Sequence, residues 1–247
     1  MVAVLGLVLV LTIPVEDVTL PNGVRVVVSV DRAVRPPEVV VSRDRALVVI
    51  VGDVEPEAAR AAYLGWPRPS PEPATAPPLL SSEGESWEVR DGPPSLLLEW
   101  PAPPGDELSL LLPALLGDGL FERRGPVWRF SALSPLSDGD ARPAELRRRF
   151  DARLERWATP SPREVQVARE TCGAWASPPS ARLRAQRLLQ VTLATGNPRR
   201  FRELGERCAR LDAATLSSLS RSLSRRSRRV RLITPRHTRL DDRVSAP

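Results

Sequence analysis

Histidine and cysteine are the residue types from which this sequence could most readily build a metal site, and both are scarce. The chain has one histidine, His237, near its C-terminus, and two cysteines, Cys172 and Cys208. A hydrolytic zinc ion needs three protein ligands and one open position for the attacking water. Neither cysteine has the spacing of a metal ligand, so the sequence predicts no metal site and no cofactor.

Nucleophilic catalysis and phosphate binding lack their required residues as well. Serines are plentiful, but a serine triad needs a paired histidine, and His237 lies in a polar tail. The segment Gly117-Asp118-Gly119 lacks the lysine and the strand-to-helix setting of a phosphate-binding loop. We therefore predict that this chain contains no catalytic residue.

The positive charge of the chain does not indicate a nucleic-acid partner. The net charge is +6 and the pI is about 10.8, but the sequence has no lysine. Arginine, alanine and proline in such abundance are typical of a GC-rich genome. The densest basic run, residues 220–232, has no interleaved aromatic residue on which bases could stack. The run is better explained as an arginine-covered helix end, and we predict no nucleic-acid binding.

Two features bear on the compartment in which the chain works. Residues 1–16 form an apolar segment that is too short for a membrane span and lacks the basic region of an ordinary signal peptide. A shortened signal, an anchor and a misplaced start all remain open. Cys172 and Cys208 are either buried thiols or, in an oxidising compartment, a disulfide. The segment favours export to a periplasm, with the cytoplasm as the alternative.

The elements that must position any site begin with residues 17–66. Two β arms flank Pro21-Asn22-Gly23, where Asn-Gly supplies the backbone of a tight turn. A second β pair bends at Asp44-Arg45. The run that follows reads as a helix that has Pro56 at its start and ends at Gly65.

A proline-rich linker, residues 67–78, separates this part from a second one, residues 79–236. The second part has strand candidates, a helix opened by Asp106, and the period-two segment GPVWRFSALSPL. Four to five helices follow, one of which opens with the capping box of Ser161 and Glu164. A closing strand, RVRLITP, precedes a polar tail, residues 237–247. Helices gathered between strands predict an α+β fold, an antiparallel-rich sheet covered by helices on one face.

The order of these segments resembles the insulinase-like, mitochondrial-processing-peptidase family of zinc peptidases, also called M16. The segments that show the resemblance are distributed over nearly the whole chain: TLPNGVRVVV, LVVIVGDVEPEAARAAYLGWP, GPPSLLLEWPAP, SALSPLSDG, LATGNPRRF and RVRLITP. The resemblance is mainly to the second half-domain of the family. It implies α+β half-domains that enclose a chamber for unfolded peptide, with the first half truncated here.

The resemblance also implies a zinc motif, His-x-x-Glu-His, that this sequence lacks. Between Val30 and Glu38, where the family has its zinc-bearing helices, stands only a short segment that contains RAVRPP. The expected strand after SPLSDG is absent too, because Asp140 leads almost directly into a helix. The first half therefore looks like a half-domain whose middle has been removed.

Some members of the family grip the substrate backbone with an arginine and a tyrosine from the second half. The corresponding stretch here is LLGDGLFERRGPVW, in which Phe121 stands near the place of the tyrosine. Arg123 and Arg124 could bind peptide carbonyls or the carboxylates of a partner chain. The alternative is that both are solvated arginines at a helix end.

The sequence thus predicts a non-catalytic homologue of the zinc peptidases that binds a partner and completes or regulates a peptidase chamber. Its partner would be a zinc-bearing peptidase chain or a second copy, and unfolded peptide is a possible ligand. Two alternatives stay open: a component that hydrolyses peptide only together with a zinc-bearing chain, and a decayed pseudo-enzyme.

Overall fold

The computed structural model describes nine stretches of the chain, and they form two compact units. The described residues are 14–42, 46–67, 84–90, 95–101, 107–117, 119–124, 127–133, 143–223 and 229–235. The first unit takes residues 1–70 together with 179–189, and the second takes residues 71–178 and 190–247. The predicted apolar segment up to residue 13, most of the predicted linker, and the tail with His237 lie outside the described residues.

Four short valine-rich strands form the sheet of the first unit. In chain order they are β1 (Val15–Thr19), β2 (Arg25–Val30), β3 (Glu38–Ser42) and β4 (Leu47–Gly52). The sheet order is β1-β2-β4-β3, with both predicted antiparallel pairs present and β2 parallel to β4. The predicted bend at Asp44-Arg45 lies outside the described residues. Strand β4 is buried along its whole length, as is typical of a strand with a parallel neighbour.

Helix α1 (Pro56–Leu64) packs on one face of this sheet. It begins at the predicted proline and is followed by Gly65, whose φ of −83° is that of an ordinary helical residue. The helix end is instead fixed by the hairpin turn, where the side-chain amide of Asn22 donates to the carbonyls of Tyr63, Leu64 and Trp66 at 2.8, 3.1 and 3.1 Å. These are carbonyls that a helix C-terminus leaves without partners inside the helix.

Five strands form the sheet of the second unit. They are β5 (Gly84–Arg90), β6 (Ser95–Pro101), β7 (Leu120–Arg124), β8 (Val127–Leu133) and β9 (Arg229–Pro235). The order is β5-β9-β6-β8-β7, antiparallel except between β5 and β9. The predicted strands are present, but the interpretation of Arg123 and Arg124 as solvated arginines at a helix end is wrong. Both lie in β7, an edge strand that pairs with β8 on one side.

Helices fill most of the rest of the second unit. In the described stretches the remaining α-helices are α2 (Glu107–Leu116), α3 (Pro143–Ala158), α4 (Pro162–Ala176), α5 (Ala181–Thr195), α6 (Leu204–Ala209) and α7 (Ala213–Ser222). Residues 181–189 of α5 belong to the first unit. Helices α2 and α3 pack on the sheet, while α4, α6 and α7 pack on those two or on one another. The capping box at Ser161 is confirmed: Ser161 accepts from the backbone of Glu164, whose carboxylate accepts from Ser161 at 2.7 Å. Asp106 and residues 134–142, including Asp140, lie outside the described residues.

The core of the second unit lies between the helices and one face of the sheet. The period-two prediction for β8 is confirmed, since Trp128 and Phe130 are buried while Arg129 lies on the opposite face. Phe150 of α3 contacts Trp100 and Phe130 with ring centroids 5.6 and 5.3 Å apart. The fold is therefore α+β, with helices on one face of an antiparallel-rich sheet, as predicted.

Cys172 of α4 and Cys208 of α6 form a disulfide, which decides between the two alternatives left open by the sequence. Both residues are buried, and their Cα atoms are 5.4 Å apart. The bond closes a loop with a sequence separation of 36. It ties together two helices of the layer that covers the sheet. None of the helices in the described stretches has the length and apolar character that a membrane span requires.

Candidate partner-binding site

The connection between β2 and β3, residues 31–37, occupies the place where the resemblance puts the zinc-bearing helices. The backbone N–H of Asp31 donates to Gly52 at 2.9 Å, and that of Val34 donates to Asp31 at 3.0 Å. In return, the N–H of Asp53 donates to Val34 at 3.0 Å. The connection is thus a short loop held to the backbone at the end of β4 through Asp31 and Val34.

Gly52 allows this loop to pack directly on the strand end. Its φ is +154°, a backbone conformation that favours glycine. A Cβ at this position would come within 2.6 Å of the Cα of Pro37. Gly52 therefore serves a close approach of two backbone segments, and the sequence alone gave no indication of it beyond the turn at Gly52-Asp53.

The carboxylates of this region are engaged by arginines. Arg184, from the part of α5 that belongs to the first unit, donates to Asp31 at 2.5 Å. Arg35 pairs with Asp53. Zinc coordination needs three deprotonated ligands facing one point, and two carboxylates held by separate arginines do not meet that need. Among the described residues, no group of three histidines, cysteines or acidic residues could hold a metal ion.

The three residues that the sequence singled out for peptide or partner contact lie on β7 but do not form one cluster. Phe121 is fully buried, and its ring contacts Trp128 edge-on at 5.5 Å. Arg123 is paired in register with Trp128 at the sheet edge, so it shares the core side with Phe121 and is only partly exposed. Arg124 points to the opposite face, where its Nε donates to Glu122 at 2.6 Å.

Arg124 belongs to a row of charged residues on the face of the second sheet that lies opposite to the one with Phe121 and Trp128. Arg129 of β8 donates to Glu99 of β6 at 2.8 Å, and it lies 3.7 Å from the carboxylate of Glu122. Arg231 of β9 completes the row with a bond of 3.2 Å to Glu99. The row holds three arginines and two carboxylates, so it carries a small positive excess across four strands.

The two carboxylates of this row are buried although they lie on the polar face. Glu99 and Glu122 are 5% and 4% exposed, whereas the side chains of Arg124, Arg129 and Arg231 retain 26 to 31%. The arginines thus cover the carboxylates and present their own edges outward. The alternation around Arg129 placed one member of the row on this face, but its partners depend on the register between strands that are distant in sequence.

The edges of the first sheet differ from each other in character. On β1, Glu16 pairs with Arg60 and Asp17 pairs with Arg25, both at 2.7 Å. On β3, the exposed side chains are apolar: Val39 is 46% exposed and Val41 is 36% exposed. Unpaired apolar edge strands are sites at which another strand can add.

No protein-family model and no curated protein matches this sequence. Solved structures do resemble the fold. A protease from Helicobacter pylori matches with a TM-score of 0.42 and 14% identity, covering 76% of this chain and 55% of that one. A predicted insulinase family protease from Yersinia pestis matches with a TM-score of 0.39 and 15% identity, covering 82% and 55%.

A third similar structure is a peptidase M16 inactive domain from Pseudomonas fluorescens, with a TM-score of 0.38, 11% identity and coverage of 76% and 53%. The chain spans about half the length of each of these three structures. The similar solved structures thus include a predicted insulinase family protease and a peptidase M16 inactive domain.

Proposed function

We propose that this chain is a non-catalytic binding subunit that completes or regulates the chamber of a zinc-bearing peptidase chain. One observation carries the proposal: the whole sequence has a single histidine, so it cannot supply the pair of imidazoles in the family's zinc motif. The closed loop at residues 31–37 supports it, because both carboxylates beside that loop are bound to arginines.

We further propose that the β7 edge provides the binding surface, with Arg123 and Arg124 as the contacts to a peptide or to the partner's carboxylates. A guanidinium carries five N–H donors in a planar fork, so one that already bonds Glu122 can also bond a second carboxylate. Phe121 contributes indirectly: its buried ring fixes the strand that carries both arginines.

The test of the binding role is association with a zinc-bearing M16-type peptidase encoded near the same gene. Light scattering coupled to size-exclusion chromatography should show a complex that neither chain forms alone. The cleavage rate of the zinc-bearing chain should change on addition of this chain, upward if it completes the chamber and downward if it inhibits. If no complex with this peptidase forms at any concentration tested, the proposal is contradicted.

The contribution of the two arginines is tested with Arg123→Ala and Arg124→Ala in the same assay. Each should weaken the complex about tenfold, which corresponds to about 1.4 kcal/mol of binding free energy. A matched control is Arg148→Ala with Arg210→Ala, which removes two charges from side chains that are 76% and 78% exposed. Because Arg124 also bonds Glu122, a thermal melt must accompany its variant. An unchanged affinity in Arg123→Ala contradicts the assignment.

The non-catalytic part of the proposal is tested on the chain alone. Metal analysis of the purified chain should find no stoichiometric zinc, and peptide libraries should remain uncut with or without added zinc. Cleavage by the lone chain that is abolished by a chelator, together with one equivalent of bound zinc, would overturn the proposal.

We also propose that the chain works in an oxidising compartment such as a periplasm. The buried disulfide between Cys172 and Cys208 supports this, because such bonds persist mainly in exported proteins. Fractionation of cells that produce the native gene product should place it outside the cytoplasm, and thiol titration of that product after denaturation should find no free cysteine. A fully reduced product in the cytoplasmic fraction contradicts export.

A further inference from the structure

The first sheet carries apolar rows that cross its strands and end at β3. One row on the α1 face consists of register partners taken from β1 to β3 in sheet order: Val18, Val26, Val48 and Val41. The neighbouring row follows the same order: Glu16, Val28, Ile50 and Val39. The members from β2 and β4 are buried, but the valines at the end of each row are exposed at the edge. Both rows therefore stop without a neighbour on the β3 side.

The three valines of β3 lack the charged protection that β1 and β7 have, since the one charged residue of this strand, Glu38, stands at its start. On β1 an acidic side chain pairs with Arg60, and on β7 Glu122 pairs with Arg124. Charged side chains on an edge strand oppose the addition of another strand. Strand β3 instead presents Val39 and Val41 on one face, with the partly buried Val40 between them on the other.

We propose that β3 pairs antiparallel with the β3 of a second copy of this chain, around a two-fold axis at Val40. In this register Val39 of one copy faces Val41 of the other, twice. The two rows described above then continue into each other, and the two four-stranded sheets become one sheet of eight strands. The inference rests on the first sheet alone and does not depend on the proposed function.

The register follows from symmetry and from the sequence of β3. A two-fold axis perpendicular to the sheet pairs only residues that lie on the same face, so the axis must pass through a residue. With Val40 at the centre, all five residues of β3 find partners, and Glu38 lies opposite Ser42 rather than opposite another carboxylate. A centre at Val39 would bring Pro37 into the ladder, where it has no N–H to donate. The self-pairing is thus complementary in both shape and charge.

The size of this contact determines how the dimer should behave. Two five-residue strands bury less surface than a standard stable protein interface, so the dimer should dissociate on dilution. Sedimentation of the full chain over a range of concentrations should therefore show a reversible equilibrium between monomer and dimer. A chain that remains a monomer at the highest soluble concentration contradicts the proposal.

Cysteine crosslinking tests the register directly. In Val40→Cys the two new thiols face each other across the axis, at a Cα separation of about 4.5 to 5.5 Å, which suits a disulfide. In Glu38→Cys they lie roughly 13 Å apart, because each stands two residues from the axis. Mild oxidation should give a covalent dimer with Val40→Cys and not with Glu38→Cys. The opposite result, or equal crosslinking of both, overturns the assigned register.

Charge substitution tests the apolar contacts. Val39→Glu should raise the dissociation constant at least about tenfold, since it places a carboxylate against Val41 of the other copy. The double variant Val39→Glu with Val41→Lys should recover part of the loss, because the new charges then face each other twice. The matched control is Val167→Glu, at a valine of α4 that is 53% exposed, and it should leave the equilibrium unchanged.

Loss of the dimer in Val39→Glu supports the proposal and its persistence contradicts it, once circular dichroism has verified that the variant is folded. Positions 39 and 41 are already open to solvent, so a charge there should leave the thermal melt close to that of the parent chain. A dimer that persists unchanged in Val39→Glu shows that another surface mediates association. An equal effect of Val167→Glu would show that the loss comes from the change in net charge and not from the β3 contact.

Discussion

The two sheets of this protein manage their solvent-facing groups in different ways. The second sheet covers one face with helices and carries on the other a row of three arginines and two carboxylates that pair with one another and leave a small positive excess. The first sheet is built mainly of valine, and its β3 edge carries no such row. The contrast teaches that burial and edge protection are separate problems. The β7 edge of the second sheet and the β1 edge of the first sheet carry charge pairs, whereas the β3 edge presents exposed valines.

The disulfide should have the largest effect, and it should act mainly on α4 and α6, the two helices that it joins. We expect replacement of Cys172 and Cys208 by alanine to lower the free energy of unfolding by about 4 kcal/mol, given the sequence separation of 36. Hydrogen exchange followed peptide by peptide should show lost protection in α4 and α6 and unchanged protection in β4. Equal loss in both units would mean that they unfold as one cooperative body.

The charged row should give the next largest effect. We expect Arg129→Leu to destabilise the second unit by about 3 kcal/mol, because Glu99 is then left buried with one of its two arginines. Urea denaturation measures the change. The double variant with Glu99→Leu should recover stability, since the buried carboxylate is removed as well. If the double variant is as unstable as the sum of the single ones, the row contributes packing rather than charge pairing.

In the first unit, a substitution at the close approach around Gly52 should lower stability more than a substitution at an exposed contact. Gly52→Ala should cost about 2 kcal/mol, because a Cβ there would lie 2.6 Å from Pro37 and the φ of +154° is strained for alanine. Gly65→Ala is the matched control, since nothing lies within 4 Å of its Cβ position. The control should be neutral in a thermal melt. Similar losses in both variants would argue against the packing of the loop on β4.

Asn22 should have a smaller effect on the same unit. Asn22→Ala removes the donors to the last carbonyls of α1, and we expect a loss of about 1 kcal/mol. Asn22→Asp should cost more, although it keeps the acceptor for Val24, because it places a negative charge at the negative end of the helix dipole. Chemical denaturation of both variants distinguishes the two effects. If aspartate is tolerated better than alanine, the amide does not cap the helix.

Acid should weaken two helix starts in the second unit. Hydrogen bonds from Ser161 lower the pKa of Glu164, and hydrogen bonds from Thr215 lower the pKa of Asp212. A carboxyl group whose pKa is lowered by folding stabilises the fold at any pH above its ordinary pKa, which is 4.5 for Glu164 and 3.8 for Asp212. That stabilisation is lost as the pH falls through the folded value. Carboxyl NMR titrations should show that both groups become protonated below these pKa values. Asp212→Asn should remove the part of the pH dependence of stability that arises at the start of α7.

Local signals in the sequence predicted much of the fold. Proline at the start of α1, the capping box at Ser161 and the alternation around Arg129 each act within a few residues, so composition and spacing reveal them. The parallel pairing of β2 with β4 and the charged row depend on register between strands that are far apart in the chain. The hydrogen bond from Arg184 to Asp31 joins residues that are 153 positions apart, and no local sequence pattern predicts it. The candidate site was therefore predicted only as single residues, Phe121, Arg123 and Arg124, without their surroundings.

The tight loop between β2 and β3 has a consequence for engineering. Backbone bonds join Asp31 to Val34 and hold both residues to the end of β4, so a longer segment spliced in between Arg32 and Ala33 would start and finish at adjacent points. The entropic cost of such an insertion grows slowly, by about 0.6 kcal/mol for each doubling of its length. This chain is consequently a suitable acceptor for a transplanted helical hairpin that brings its own metal ligands, and a gain of bound zinc would report directly on successful grafting.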